Sequence, residues 1–493
     1  MPVVVPAISP THPLLEDEAA LYQFLFDCQR QLQGTQRQLL SLSCPLPDLD
    51  ALQVLASFDP QKTVHFYGED RPHQQTVLAY GVVESYVFAG SADEKARFVE
   101  SRRFIDSCFQ RLLSIAEGVN PSPYIFSGFS FFSQPPASSP FPAAFLFLPQ
   151  FQLLQQGQQW SLTCNIALDR LVDLPRLTGY VFSHCHFLHS FTKGDRAHIP
   201  GVKPAQLHSS AQRFSPYLEA RRPQLQGIVT DILQRIERGE LEKIVLAQNL
   251  DLQRPEGFRI EACLQRLRFY YQDCYLFSLG NGHGHCFIGA SPERLLSIRN
   301  HHLQTDALAG SAPRGKNPQA DQQLAQKLWQ SQKERREHQV VLEFIVERLM
   351  QLGLTPHCAP LTFLKLSNIQ HLWTAIQAPM LTALHPLELV AHLHPTPAVA
   401  GVPVSKACEL IQHYENFDRS LYAGPLGWID PQGNCEFRVG IRSALISEHQ
   451  ARLFAGAGIV RGSDPAQEIA EINLKLQALG RTLLAPAPPS AHI

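Results

Sequence analysis

Short apolar runs of β-type composition crowd the first third of the chain. They cover Thr76–Val87, Tyr124–Phe132, Ala143–Leu154 and Gln159–Ala167, and clusters such as Ser133-Gln-Pro-Pro-Ala-Ser-Ser-Pro interrupt them. This texture predicts an antiparallel sheet, with one helix before it (Glu16–Leu32) and another within it (Asp93–Glu117). A loop-like stretch from His198 to Ser210 separates the halves. Beyond it the pattern predicts a helix over Ser215–Arg238 and a strand over Lys243–Asn249. Further strands are expected at Cys274–Leu279, Cys286–Ala290 and Arg294–Arg299, and long helices at Pro318–Leu352 and Pro403–Tyr414. A late hairpin reads Gly424–Ile429, a turn from Asp430 to Asn434, and Cys435–Ser447, with another strand at Arg452–Ala457. No internal repeat is evident. The expected class is α+β, with large antiparallel β-sheets sandwiched and flanked by helices. An N-terminal α+β subdomain over 1–205, a second region over 206–480 and a flexible tail over 481–493 are expected. The pattern leaves open whether the two halves fuse into one sandwich.

Composition narrows the class. The chain has 493 residues, 44% apolar and 17% charged, which suits a large packed core. A net charge of -2 gives no basic footprint for nucleic acid. Eleven scattered cysteines without a CxxC pair read as reduced thiols. The opening Met1-Pro-Val-Val-Val-Pro lacks the basic segment of a secretory leader, and the greasiest run, Ala143–Leu148, stops at Pro149. A cytoplasmic protein without membrane segments is expected.

The richest chemistry lies near the end, from Phe454 to Lys475. An apolar strand and a glycine turn lead into a helix that Asp464 can cap and Pro465 can start. Glu468, Glu471 and Lys475 are spaced three and four apart, so they share one face. Two acids and a base beside a glycine turn can hold a cation and an anion together, although such a face is more often simply solvated.

Upstream, Lys243 opens the apolar strand Lys243-Ile-Val-Leu-Ala-Gln248, and a partly buried amine there is a candidate base. Phe287-Ile-Gly-Ala-Ser-Pro-Glu293 presents a carboxyl that burial can keep protonated, a candidate acid. Thr305-Asp-Ala-Leu-Ala-Gly-Ser-Ala-Pro-Arg-Gly315 reads as a small-residue turn in which Gly310 and Ser311 offer donors to a carboxylate. Arg442, on the strand after the hairpin turn, suits bidentate carboxylate binding. Three other signals are set aside. Gly456-Ala-Gly-Ile-Val-Arg-Gly462 has the wrong last spacing for a dinucleotide fingerprint. His184-Cys-His-Phe-Leu-His189 lacks ordinary zinc pairings, and His283 and His285 merely flank a turn.

Seven of these strings, in order from Glu242 to Lys475, resemble the motifs of the chorismate-utilising enzymes, among them isochorismate, salicylate and anthranilate synthases. The others are Lys333-Glu-Arg-Arg-Glu-His338, His392-Leu-His-Pro-Thr-Pro-Ala398 and Phe417-Asp-Arg-Ser-Leu-Tyr-Ala-Gly424. The resemblance implies Lys243 as base and Glu293 as acid, with Mg²⁺ on Glu337 and Glu471 and Glu468 assisting. It implies substrate contacts at Thr305, Ala309, Gly310, Ser311, His394, Tyr422, Arg442, Gly456, Ala457, Gly458 and Lys475.

The family's shared reaction adds a nucleophile at C2 of chorismate while the C4 hydroxyl leaves. A lysine at position 243 is the family's mark of water as nucleophile, which implies isochorismate synthase of the menaquinone or phylloquinone type. Gln248 departs from that subfamily's usual arginine. Salicylate synthase and a siderophore-pathway isochorismate synthase remain alternatives. An ammonia-using relative or a non-catalytic anion binder is expected less. No glutaminase subunit is expected, and the protein is expected as a monomer or weak homodimer.

Overall fold

The computed structural model of the protein describes residues 14–34, 37–116, 122–191, 211–366 and 369–485. The separator expected at 198–210 lies outside them.

Two large sheets stack into an α+β sandwich. The twelve-stranded sheet runs from Gly401–Val402 through Lys243–Gln253, Gln450–Val460, Ser443–Ile446, Cys286–Ser291 and Tyr275–Asn281. It continues through Val64–Asp70, Gln75–Tyr80, Phe151–Gln156, Gln159–Leu168, Gln38–Leu46 and Leu112–Ala116. The ten-stranded sheet includes His302–Pro313, Arg294–Arg299, Cys435–Val439 and Pro425–Ile429, then passes to Ile125–Phe129, Ala144–Leu148 and Glu84–Phe88. Both sheets therefore cross from one half of the chain to the other without a break. The seams are antiparallel pairings of Tyr275–Asn281 with Val64–Asp70 and of Pro425–Ile429 with Ile125–Phe129.

Aromatic side chains fill the space between the sheets, and Phe66 of one meets Phe126 of the other with ring centroids 4.9 Å apart. Each fully buried phenylalanine stabilises the fold by about 1.5–3 kcal/mol. A second core seats helices Glu18–Gln31, Leu174–His189, Ile260–Tyr270 and Pro465–Leu484 on the twelve-stranded sheet. The last helix runs on to Leu484 with Leu483 buried, so residues 481–484 belong to the packed structure rather than to a tail.

Several expected elements divide where the chain changes sheet. Thr76–Val87 becomes two strands, parted at Gly81 (φ 70°) and placed in different sheets. Cys435–Ser447 splits likewise: Cys435–Val439 lies in one sheet and Ser443–Ile446 in the other. The single helix expected over Pro318–Leu352 breaks at Ser331, whose hydroxyl accepts from the Glu334 N–H and starts a new helix, Gln332–Gln351. The turn expected at Thr305–Gly315 is mostly strand, His302–Pro313, with a bulge between Ala309 and Ser311.

Candidate active site

Two sheet crossings form one end of a cavity of about 430 Å³. The first passes through Pro292 and Glu293, from strand Cys286–Ser291 to strand Arg294–Arg299. The second passes through Gly440 to Arg442. Backbone and hydroxyl bonds zip them together: Ser291 Oγ donates to Val439 O (2.6 Å), the Val439 N–H to Glu293 O (3.2 Å) and the Ala290 N–H to Arg442 O (3.1 Å). The candidate acid and the candidate carboxylate-binding arginine are thus fixed to one another. Arg442 sits at φ 49°, a region that side-chain-bearing residues seldom adopt and that recurs at functional sites.

Arg442 makes no ion pair among the described residues. Its guanidinium donates to His371 Nε2 (3.2 Å) and approaches Cys274 Sγ (3.4 Å). Burial, with Arg442 and Lys475 nearby, holds His371 well below the usual histidine range, so its ring is neutral. Because Nε2 accepts from Arg442, the proton sits on Nδ1 and points at Ser311 Oγ, 3.0 Å away. Sequence reading passed over His371, which lies on strand Ile369–Pro379 with no local motif around it. Its partners are 60 and 71 residues distant in sequence.

Glu293 is buried, and no hydrogen bond or ion pair reaches its carboxyl among the described residues. Burial lifts its pKa to about 7, with Lys243 opposing the rise and Asp306 adding to it. Lys243 is equally buried, 1% exposed, beside Gly458 and in an ion pair with Glu337 at 2.8 Å. Its strand is held on one side by Gln450–Val460 along its full length. On the other side the buried Arg419–Glu415 pair takes over: Arg419 donates to Val245 O (2.9 Å) and Glu415 accepts from the Ala247 N–H (2.7 Å). Burial raises the Glu337 carboxyl, but Lys243, together with Lys333 and Lys475, more than offsets it and leaves Glu337 below the usual range.

The terminal helix forms the facing wall. Asp464 accepts from the Gln467 N–H (2.9 Å) and Pro465 takes the first position, as the sequence predicts. Ile469, Ile472, Leu476, Leu479 and Leu483 bury one stripe, and Glu468, Glu471 and Lys475 flank it on the cavity side. Lys475 pairs with Glu471 (2.8 Å) and donates to Gly456 O (2.9 Å), while Glu468 is gripped by Lys333 (2.7 Å). Glu334, unremarked in the sequence, joins this wall and accepts from the Ser311 N–H at 3.0 Å. The bulge at Gly310 (φ 77°) aims that N–H, and a Cβ there would meet Glu334 O at 3.0 Å.

Ala309, Gly310, Ser311, Tyr422, Gly456 and Gly458 also line this cavity, as expected. Three expected contacts do not. Thr305 is buried between strands and donates to Leu295 O at 2.6 Å. Ala457 alternates away from its glycine neighbours into the helix-side core. His394 ends helix Pro386–Leu393, bonds Phe131 O (3.1 Å) and is held down to about 3 by burial and Arg97. These three side chains lie outside the cavity lining.

Residues 23–484 match the family described as "Chorismate binding enzyme". The chain belongs to that family. Over 459 residues it is 35% identical to the salicylate biosynthesis isochorismate synthase of Pseudomonas aeruginosa, covering 91% of this chain and 90% of that one. It is 40% identical over 254 residues to the isochorismate synthase MenF of Escherichia coli K12, covering 50% of this chain and 57% of the relative. The solved structure of the E. coli menaquinone-specific isochorismate synthase MenF superposes with a TM-score of 0.72 at 28% identity, covering 94% of this chain and 99% of that one. Anthranilate synthase component I from Streptococcus pneumoniae shares the fold, with a TM-score of 0.62 at 18% identity over 84% of this chain.

In this chorismate-binding enzyme, Gly458 makes room for the Lys243–Glu337 pair. A Cβ there would lie 2.7 Å from Glu337 Oε1 and 3.2 Å from Lys243 Cε. Gly458→Ala is expected to lower kcat by about 10²-fold through displacement of that pair. Steady-state kinetics beside a melting curve check this, and wild-type kcat would show that the pair tolerates the methyl group.

The acidic wall suits a hard divalent cation in chemistry. Its donors are carboxylate oxygens, and Glu334 is raised by burial and by repulsion from Glu337 and Glu471, the mark of acids crowded without enough countercharge. Among the described residues, no three His, Cys, Asp or Glu side chains are grouped closely enough to hold an ion between them. The carboxylates face lysines instead. No helix of the described residues is long and apolar enough to cross a membrane.

Proposed function

We propose that this protein is an isochorismate synthase, converting chorismate to isochorismate by adding water at C2 as the C4 hydroxyl departs. The carrying observation is a buried amine, Lys243, coupled to a buried carboxyl, Glu293, whose pKa near 7 keeps a proton available. In this reading Lys243 acts as the uncharged amine, its ion-pair proton given up before the step; it takes a proton from the attacking water, and Glu293 gives one to the departing hydroxyl, which leaves as water. The substrate loses one hydroxyl and gains another, so the net change is an isomerisation. Arg442, with no carboxylate partner among the described residues and held by His371, binds a substrate carboxylate. Ser311 and the Gly456–Gly458 strand shape the ring pocket.

Glu337 and Glu471, with Glu468, are the residues to hold Mg²⁺. A Mg²⁺ held there would supply positive charge opposite the ring carboxylate. Arg442→Ala is expected to raise KM for chorismate by about 10- to 100-fold, with a smaller effect on kcat. An unchanged KM in steady-state assays would remove Arg442 from the substrate's contacts.

The test is a product analysis with chorismate and Mg²⁺ and no ammonia. Isochorismate alone supports the reading, whereas salicylate with pyruvate moves it to salicylate synthase. Binding without turnover would leave only an anion-binding relative. On destination, one observation favours a second reading over quinone supply. The match over 91% of this chain is to a synthase of salicylate biosynthesis, whereas the sequence match to MenF covers half. In that reading a separate lyase removes pyruvate from the isochorismate.

A further inference from the structure

Three lysines neutralise the acidic wall, and they are not equivalent. Lys243 reaches Glu337 from a strand and is wholly buried. Lys475 pairs with Glu471 one turn away on its own helix and is tied to Gly456 O. Lys333 alone bridges the two helices that carry the carboxylates. It opens helix Gln332–Gln351, beside Glu334 and Glu337, and reaches across to Glu468 on helix Pro465–Leu484. Its ammonium lies 2.7 Å from Glu468 and 3.7 Å from Glu334, and it has no partner other than acids among the described residues. Glu468 is 5% exposed at its side chain, so an uncompensated charge there would be costly, and no other ammonium pairs with it among the described residues. Lys333 keeps 32% of its side chain in solvent, which gives it a route outward that Lys243 lacks.

We propose that Lys333 is a built-in counter-ion: it occupies the acidic wall in the cation-free protein and must swing away for a divalent cation to bind. This rests on the reading of Glu337, Glu468 and Glu471 as cation ligands. A unit charge within a few ångströms of the ligands opposes a second cation directly, and its flexible stem lets it leave without rearranging either helix. Lys333 thereby sets metal affinity, keeping it low until an anionic substrate adds negative charge to the cavity.

The experiment measures Mn²⁺ uptake by electron paramagnetic resonance on the full chain, without chorismate and at fixed ionic strength. Lys333→Met is expected to bind Mn²⁺ about tenfold more tightly than the native protein. Lys333→Arg, which keeps the charge, is expected to bind like the native protein. Melting curves confirm that both variants are folded, and the arginine variant preserves the test should the methionine one not fold. Equal or weaker Mn²⁺ binding by Lys333→Met, or a tenfold gain in Lys333→Arg, would overturn the proposal while leaving the cation ligands standing. If the native protein and both variants take up no Mn²⁺, the ligand assignment itself fails, and this proposal with it.

Discussion

Lys243→Ala is expected to abolish hydration of chorismate, lowering kcat by about 10²- to 10⁴-fold while Kd for chorismate stays within a few-fold. Two effects must be separated in this result. Removing the amine deletes the base, and it also strips Glu337 of its partner at 2.8 Å. A carboxylate left alone in a closed site repels an anionic substrate and takes up a proton more readily. Lys243→Gln therefore belongs beside the alanine variant. It restores bulk and a donor next to Glu337 but cannot accept a proton from water. If the glutamine variant binds chorismate normally and remains inactive, the missing chemistry is proton abstraction. Isotope-dilution or fluorescence binding measures Kd, and a coupled assay measures turnover. Native turnover in either variant would refute Lys243 as base.

Glu293→Gln is expected to act in opposite directions on catalysis and stability. Turnover should fall by about 10²- to 10⁴-fold, because the amide has no acidic proton to give. Stability above neutral pH should rise. The folded-state pKa of Glu293, about 7, lies above its ordinary 4.5. Between those values the folded protein holds a proton that the unfolded chain has released, so stability falls as pH climbs from about 4.5 through about 7 and levels off beyond. That rise corresponds to about 3 kcal/mol of native-state cost once Glu293 is ionised. Glutamine carries no such cost, so the variant should unfold at higher denaturant than the native protein at pH 8 and about equally at pH 4.5. Native kcat/KM should decline on the alkaline side of about 7 as the acid loses its proton. Equal stability at both pH values would mean that Glu293 sits in a wetter place than its burial indicates.

Local signals carried much of the site. The capped terminal helix, the strand opening at Lys243 and the Ser-Pro-Glu link are contiguous strings whose chemistry is visible without neighbours. What stayed hidden depends on where the chain changes sheet. An alternating pattern shows that Cys435–Ser447 is extended, but both sheets bury side chains on the inside, so nothing in it reveals the step at Gly440–Arg442. The sequence pattern therefore places Arg442 on a strand, whereas it lies at the crossing. The bulge at Gly310 reads as a turn in sequence because small residues and φ above zero suit both. His371 gives no local signal because its role exists only through contacts with Ser311 on a neighbouring strand and with Arg442 at a sheet crossing. His394, Thr305 and Ala457 show the converse: each sits inside or beside a motif, yet its side chain lies outside the cavity lining.

The unbroken sheets bear on any effort to recombine this enzyme with a relative. Exchanging the first two hundred residues is no transplant of an independent module, since one lamina would have to be re-knit at Val64–Asp70 and the other at Ile125–Phe129. A hybrid whose donor strands twist or offset differently at either join would bare two rows of unsatisfied amides at once, so compatibility between parents is decided at those borders before the catalytic residues matter.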